Sequence, residues 1–180
     1  CRSFILSILI DGQISEEASV GDKVQLILDN TPFYGESGDQ RGDIGSLTGE
    51  NLLVDIYNVT REKKVFIHSG IIKKGVLKVG QLMTAKVDNH TRSCAKANHT
   101  ATHLLQSALK LTIDSSVGQR GSLVAFDRLR FDFNSPSPVN ASQLREIEAL
   151  VNRWILEDHP IIVETMPIDK ALNAGALAMF

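Results

Sequence analysis

Two histidines one helical turn apart are the residues of this chain whose types and spacing are best suited to chemistry. His99 and His103 lie in the segment NHTATHLL, residues 98–105. On a helix, side chains four residues apart share one face, with their β-carbons about 5–6 Å from each other. Two imidazoles in this arrangement are a common half-site for zinc, the alternative being a solvated helix face.

The residues around the pair limit what kind of site it can be. In the metalloprotease form of this spacing a glutamate follows the first histidine as general base, and here that position is Thr100. A zinc site also needs three or four protein ligands. The other candidate ligands are poorly placed in the sequence; they are Cys94, His68, His90 and His159. The pair therefore predicts half of a metal site.

Two long helices are predicted in the second half of the chain. Apolar residues at helical spacing predict a helix over Lys96–Leu111. We expect its histidines to point away from its apolar stripe, into solvent or into a cleft that another element builds. A second helix is predicted to begin at Asn140, where Gln143 completes a capping box, and to end before Pro160. The stripe of the first helix consists of Ala97, Ala101, Leu104, Leu105, Ala108 and Leu111.

The first half of the chain is predicted to be a small β-barrel or a sandwich. Short runs rich in Val, Ile and Leu alternate there with turn signals such as Asp11-Gly12 and Gly21-Asp22. Between the second and third runs lies a long loop, Thr31–Gly45, with the sequence TPFYGESGDQRGDIG. Long loops in compact domains are usually functional, the alternative being a turn that needs glycine. The predicted strands are Ser3–Ile10, Lys23–Asp29, Asn51–Asn58, Lys63–His68 and Leu82–Val87.

The whole pattern predicts an α+β fold. Residues 1–92 are expected to form the β-barrel, and residues 93–180 a two-layer antiparallel sheet with helices. A short helix is predicted over Asp169–Ala174. The strands expected in the second part are Ser122–Phe126, Arg128–Phe133 and Ile161–Thr165.

Composition excludes several classes of protein. Among 180 residues, 19 Lys and Arg balance 21 Asp and Glu, for a net charge of −2, which argues against a protein that grips nucleic acid over many phosphates. The sequence contains no apolar run long enough to span a membrane. Its two cysteines cannot form a disulfide framework, which favours a reducing, intracellular setting. Because the chain does not begin with Met, we expect it to be a fragment of a longer protein.

Six segments together resemble the editing region of alanyl-tRNA synthetases and the free-standing AlaX-type deacylases. They cover nearly the whole chain in the order of the family, and the TPFY loop combined with NHTATHLL is far more specific than a histidine pair. The segments are TPFYGESGDQRGDIG, VFIHSGIIKKGVLKVG, NHTATHLLQSALK, VGQRGSLV, DRLRFDF and GALAMF.

This resemblance implies a fold, a reaction and a cofactor. The fold would be a β-barrel followed by the editing core that alanyl- and threonyl-tRNA synthetases share. The reaction would be hydrolysis of the ester in alanine tRNA mischarged with serine or glycine. The cofactor would be Zn²⁺, held by His99, His103 and a later Cys-x-x-x-His motif that this sequence does not contain. The parent would be an ATP-binding alanine–tRNA ligase of the cytoplasm, or of an organelle, whose other domains are partners; the alternative parent is a free-standing deacylase.

The resemblance also implies roles for individual residues. Thr102 and Gln119 match residues of the catalytic pocket that could contact the substrate; the alternatives are an exposed position for Thr102 and a turn cap for Gln119. Gly38 and Gln40 match the loop near the active site, whose exposed amides could hold the ester or the terminal ribose. Arg128 and Arg130 share one face of a predicted strand and could contact phosphate groups of the tRNA. The alternative is that they form an ordinary solvated sheet face.

Two departures from the family pattern leave a second function open. Asp39 stands where the family usually has glycine, and Ser116 stands where histidine is common. Asp39 would be restricted if its position requires a positive φ. With the missing Cys-x-x-x-His, these departures support the alternative of a catalytically incomplete RNA-binding or structural module. The motifs contain no obvious general base, and a threonyl-type editing domain would not account for the TPFY loop.

Overall fold

Alternation of buried and exposed side chains builds the N-terminal half of the chain. In β4 (Lys23–Leu28), for example, Val24, Leu26 and Leu28 are buried, and the residues between them face outward. Successive side chains of a strand point to opposite faces, so one face of each strand supplies the core. A computed structural model describes residues 1–176. The other strands of this half are β1 (Arg2–Ile10), β2 (Gln13–Ser15), β3 (Glu17–Ser19), β5 (Gly45–Gly49), β6 (Leu52–Glu62), β7 (Val65–Lys74), β8 (Val76–Lys78) and β9 (Leu82–Val87).

Six of these strands close into an antiparallel barrel in the order β1-β4-β7-β6-β5-β9, with β9 pairing back onto β1. Closure leaves these strands without a free edge on which another chain could pair. The barrel expectation is therefore confirmed, and the alternative of a sandwich is wrong. The strand β5 was not predicted because it continues directly from the glycine-rich loop, whose composition is that of a turn.

The chain forms two compact units, each with its own apolar core. One comprises Cys1–His99 with Leu123–Leu129, and its core fills the barrel. The other comprises Thr100–Ser122 with the residues from Arg130 onward, and its core contains Ala108, Val117 and Ile147. The domains expected at 1–92 and 93–180 stay a prediction, because compactness does not by itself define independently folding domains.

Helix α1 (Asn89–Thr112) begins seven residues before the predicted start. Asp88 caps it, since Thr91 N–H donates to Asp88 Oδ1 at 2.9 Å and the Thr91 hydroxyl donates to the Asp88 carbonyl at 3.0 Å. The predicted apolar stripe is wrong at both ends, because Ala97 is exposed and Leu111 is 72% exposed. Each half of α1 belongs to a different unit, so one continuous stripe does not serve the whole helix.

The second half confirms several local predictions. The strands β10 (Gln119–Val124) and β11 (Leu129–Phe133) pair with each other, although β10 begins three residues and ends two residues before the predicted Ser122–Phe126. Helix α2 (Ala141–Glu157) begins with the predicted capping box: Asn140 Oδ1 accepts from Gln143 N–H, and Gln143 Oε1 accepts from Asn140 N–H. The short helix α3 (Ile168–Asn173) lies within one residue of its expected place. Among residues 1–176, no helix is long and apolar enough to cross a membrane.

The predicted strand Ile161–Thr165 is wrong. Residues 159–167 are irregular, and Ile161, Ile162 and Val163 are 74%, 79% and 87% exposed. β-Branched residues favour a strand only where a neighbouring strand pairs with them, so propensity alone misled this assignment. The α+β mixture is nevertheless as expected. The last four residues of the GALAMF segment lie outside the residues that the structure describes.

Candidate functional site

The TPFY loop and helix α1 meet at a hydrogen bond between Gln40 and His99, both in the barrel unit. His99 Nδ1 lies 2.7 Å from Oε1 of Gln40, whose side chain is nearly buried. An amide oxygen only accepts, so Nδ1 carries the proton and the lone pair of the neutral ring is on Nε2. Imidazoles that bind a metal characteristically donate their second ring N–H to such an acceptor. This contact thus fixes the ring proton of His99 on Nδ1.

The second histidine, His103, lies one turn further along α1 and is exposed. Within residues 1–176 there is no group of three or more His, Cys, Asp or Glu side chains that could hold a metal. The donor chemistry of His99 fits zinc, but the described residues do not make a complete zinc site. We therefore derive no catalytic step through a metal.

A tight turn carries Gln40 to the histidine. Ser37 and Gln40 exchange two backbone hydrogen bonds of 3.0 and 3.2 Å, and the two residues between them have positive φ, +56° for Gly38 and +61° for Asp39. Positive φ at both central residues is typical of a type I′ turn. Asp39 therefore stands where glycine is easiest to accommodate, and aspartate is among the residues that tolerate this conformation. A β-carbon on Gly38 would lie 3.9 Å from His99 Cε1, so the turn lies against the imidazole.

The loop is seated directly on the backbone of the barrel. A β-carbon on Gly42 would lie 2.0 Å from the Val59 carbonyl oxygen in β6, a distance that no side chain can adopt. The same carbonyl accepts a hydrogen bond of 2.8 Å from Glu36 N–H. At Gly42, glycine is therefore required for close packing, whatever else the loop does.

Arg92 and Asp43 join the loop to the start of α1. The guanidinium Nε donates to both Asp43 carboxylate oxygens at 2.9 and 3.0 Å, Nη2 donates to Asp43 Oδ2, and Nη2 also donates to the Pro32 carbonyl at 3.1 Å. The Asp43 side chain is only 3% exposed, and its Oδ2 also accepts from Tyr34 N–H at 2.6 Å. The hydrogen bonds to Asp43 raise the pKa of Arg92 above its usual value, although burial opposes them. Sequence reasoning missed this pair, because no motif links residues 49 positions apart.

His68, which sequence reasoning assigned no function, holds the other end of the loop. His68 Nδ1–H donates to the Leu26 carbonyl at 3.1 Å, so its Nε2 accepts the hydroxyl proton of Thr31 at 2.7 Å. Thr31 Oγ1 in turn accepts from Phe33 N–H at 3.1 Å. Burial lowers the pKa of His68, while the bond to Leu26 opposes the shift. This neutral, fully buried histidine thus connects the first residues of the loop to β4.

The end of β10 completes the surroundings of Gln40. Arg41 N–H donates to the Val124 carbonyl, and Val124 N–H donates to the Asp39 carbonyl, both at 2.9 Å. Asn98, next to His99 on α1, donates from Nδ2 to the Ala125 carbonyl at 2.8 Å. The backbone on each side of Gln40 is therefore held by a strand that lies more than eighty positions further along the chain.

The structure places the remaining candidates as follows. Thr102 is 5% exposed, so the exposed alternative is wrong, and its pocket role stays a prediction. Gln119 opens β10 and donates from Nε2 to Ser122 Oγ at 3.1 Å. Arg128 and Arg130 are largely exposed and pair with acidic neighbours, namely Asp127 at 2.9 Å and Asp132 at 3.1 Å. Such exposed pairs contribute little to stability, and a phosphate contact stays a prediction for both arginines.

Comparisons with known proteins agree on one family. A family model described as tRNA synthetases class II (A) matches residues 1–91. An alanine–tRNA ligase of Synechococcus elongatus is 54% identical over 176 residues. Those of Prochlorococcus marinus strain MIT 9313 and Synechococcus sp. strain RCC307 are each 53% identical, over 181 and 178 residues. These alignments cover 98–99% of this chain but only 20% of each relative, so the chain spans about a fifth of the length of the curated relatives it matches.

Proposed function

The chain belongs to the tRNA synthetases class II (A) family, and from that premise we propose that it is the part of an alanine–tRNA ligase that hydrolyses mischarged alanine tRNA. The observation that carries the proposal is the 2.7 Å contact between Gln40 and His99. It joins the TPFY loop to the NHTATHLL helix, the two segments on which the resemblance to editing domains mainly depends.

A physical need supports the substrate assignment. A pocket that binds alanine cannot strongly reject the smaller glycine, nor serine, which only adds a hydroxyl group. A ligase for alanine therefore requires a second, hydrolytic site. The ester between serine or glycine and the 3′ end of the alanine tRNA is the proposed substrate, and that tRNA and the other domains of the ligase are the proposed partners, in the cytoplasm.

Zinc is the proposed cofactor, with His99 and His103 as two of its ligands and the others from parts of the ligase outside residues 1–176. A zinc ion there would supply Lewis-acid activation of the ester or of a water molecule. Gln40 holds the proton on Nδ1 of His99, which leaves Nε2 as the nitrogen proposed to bind the metal. The turn at Gly38 lies beside the imidazole ring, and its amides are proposed to hold the ester or the terminal ribose.

Selectivity is assigned to polar side chains. Thr102 and Gln119 are proposed to hydrogen-bond the serine hydroxyl, and Arg128 and Arg130 to contact phosphate of the tRNA. A buried donor or acceptor that loses its partner costs more than a contact gains, so these side chains would favour the serine ester over the correct alanine ester, which has no hydroxyl. We assign no side chain as general base.

A second function, a catalytically inactive RNA-binding or structural module, is favoured by one observation. Within residues 1–176, fewer than three potential metal ligands come together anywhere. In that case the loop and helix would preserve the editing fold without its chemistry.

The release of serine from mischarged alanine tRNA by the complete ligase separates the two functions. We expect rapid release that is lost after treatment with a chelator and restored by zinc, and no comparable release of alanine. The matched variants are His103→Ala and His90→Ala, two exposed histidines of α1. The first should abolish release and the second should not, whereas equal activity of both would favour the inactive module.

A further inference from the structure

Helix α1 is attached to the TPFY loop at two points on the same face. Arg92 and His99 are seven residues apart, so about 100° per residue brings them within about 20° of each other around the helix. Arg92 contacts Asp43, and His99 contacts Gln40, three residues earlier in the loop. Both contacts lie within the barrel unit.

The attachment at Arg92 is the more rigid of the two. A planar guanidinium that contacts both oxygens of a carboxylate has little freedom to rotate. Arg92 additionally donates to the Pro32 carbonyl, so one side chain holds both ends of the loop. Lysine could not reproduce this fork, because its ammonium group is a single point of contact.

Little slack separates Asp43 from Gln40. Asp43 N–H donates to the Tyr34 carbonyl at 3.0 Å, and Tyr34 N–H donates back to the carboxylate. Gly42 lies against the Val59 carbonyl, and Arg41 N–H is bound to the Val124 carbonyl. Only Gly42 and Arg41 separate Asp43 from Gln40, and both lie against neighbouring backbone, so a displacement of the Asp43 carboxylate reaches Gln40 through a short stretch with little room to adjust.

We propose that Arg92 is a positioning residue for His99: by holding Asp43, it keeps Gln40 Oε1 at the Nδ1 proton and so selects the tautomer with its lone pair on Nε2. Arg92 acts only through the loop. The assignment of that lone pair to a zinc ligand rests on the proposed function, but the effect of Arg92 on the tautomer does not.

The test uses the 180-residue chain with ¹⁵N-labelled histidine at pH 8, where ordinary histidines are neutral. The ring nitrogen shifts of His99 report which nitrogen carries the proton. We expect the Nδ1–H form in the wild type. In Arg92→Gln the ratio of the Nδ1–H to the Nε2–H form should fall by about fivefold, the factor that corresponds to one neutral hydrogen bond.

Arg41→Gln is the matched control. It removes an arginine of the loop itself, and the ion pair of Arg41 with Glu36, at 3.9 Å, is exposed to solvent. It should leave the ratio unchanged. If Arg92→Gln fails to fold, Arg92→Lys decides, since it keeps the charge but loses the fork, and it should give a smaller fall. An unchanged ratio in the folded Arg92 variant, or an equal fall in Arg41→Gln, would overturn the proposal. Serine release by the complete ligase is measured separately. If the ligase releases no serine, the effect of Arg92 on the tautomer of His99 can still be determined from the ring nitrogen shifts.

Discussion

The Nδ1 atom of His99 and the Oε1 atom of Gln40 lie 2.7 Å apart, although 59 positions separate the two residues in the sequence. The contact gives the glycine-rich loop a definite relation to the helix that bears the histidine pair. It also specifies the tautomer of His99, a property that neither segment shows alone.

Replacing Gln40 tests the cost of losing this contact. In Gln40→Met the volume is kept but the acceptor for the Nδ1 proton is lost inside a nearly closed environment. We expect the free energy of unfolding to fall by about 0.5–1.5 kcal/mol, the net contribution of one hydrogen bond. The measurement is urea unfolding followed by circular dichroism. Gln25→Met, on the exposed face of β4, is the control and should change stability far less.

The pair of Asp43 and Arg92 should dominate the stability of the loop. Asp43→Ala leaves a half-buried guanidinium without its carboxylate, and we expect a loss of about 2–4 kcal/mol. Glu36→Ala removes the carboxylate of an exposed pair at 3.9 Å in the same loop and should cost less than about 0.5 kcal/mol. Chemical denaturation of both variants provides the comparison, and similar losses would contradict a dominant role for Arg92 and Asp43.

Gly42 should be irreplaceable. In Gly42→Ala the new methyl group would meet the Val59 carbonyl at 2.0 Å, so the loop must leave the barrel. We expect a loss of more than about 3 kcal/mol, or failure to fold, because overpacking against backbone cannot be relieved by a change of rotamer. Gly118→Ala, where the nearest atom would be at 3.5 Å, is the control. Thermal unfolding of both variants decides, and a wild-type midpoint for Gly42→Ala would show that the loop is not seated as described.

The buried His68 predicts a specific pH dependence. Its pKa lies below the ordinary value of 6.5 in the folded chain, because burial disfavours the imidazolium. As the pH falls below about 6.5, the unfolded chain takes up a proton that the folded chain resists, so stability decreases until the lowered folded pKa is reached. The loss should approach about 1.4 kcal/mol per pH unit within that window.

Urea unfolding at pH 7.5 and pH 5.5 measures this effect. His68→Gln should show a smaller loss between the two pH values than the wild type does, even if it is less stable at both. The exposed His90 provides the control, and His90→Gln should keep the pH dependence of the wild type. Identical pH dependence of wild type and His68→Gln would contradict the linkage.

Local chemistry predicted local structure well. The capping box is a contact between Asn140 and Gln143, which are only three residues apart in the sequence. The barrel strands can be recognised in the sequence because apolar and polar side chains alternate along each strand. The start of α1 was placed too late, because the apolar periodicity begins after the cap at Asp88. The strand expected at Ile161–Thr165 failed because its formation depends on a partner elsewhere in the chain.

In the candidate site too, the sequence revealed individual residues but not the contacts between residues that are distant in the sequence. His99, Gln40 and Gly38 were found from spacing and resemblance, yet the bond between the first two required the fold. Arg92, Asp43 and His68 were missed because each acts through a contact with a distant residue. Their side chains look like ordinary charged or polar positions until the barrel and helix bring the partners together.

The role of His99 is decided by serine release from mischarged alanine tRNA, measured on the complete ligase carrying His99→Ala. We expect the rate to fall by more than about 100-fold, which exceeds the roughly 10–100-fold fall expected for Gln40→Met, where only the supporting contact is removed. Aminoacylation with alanine should continue at the wild-type rate. Serine release at the wild-type rate in His99→Ala would show that His99 takes no part in the hydrolysis.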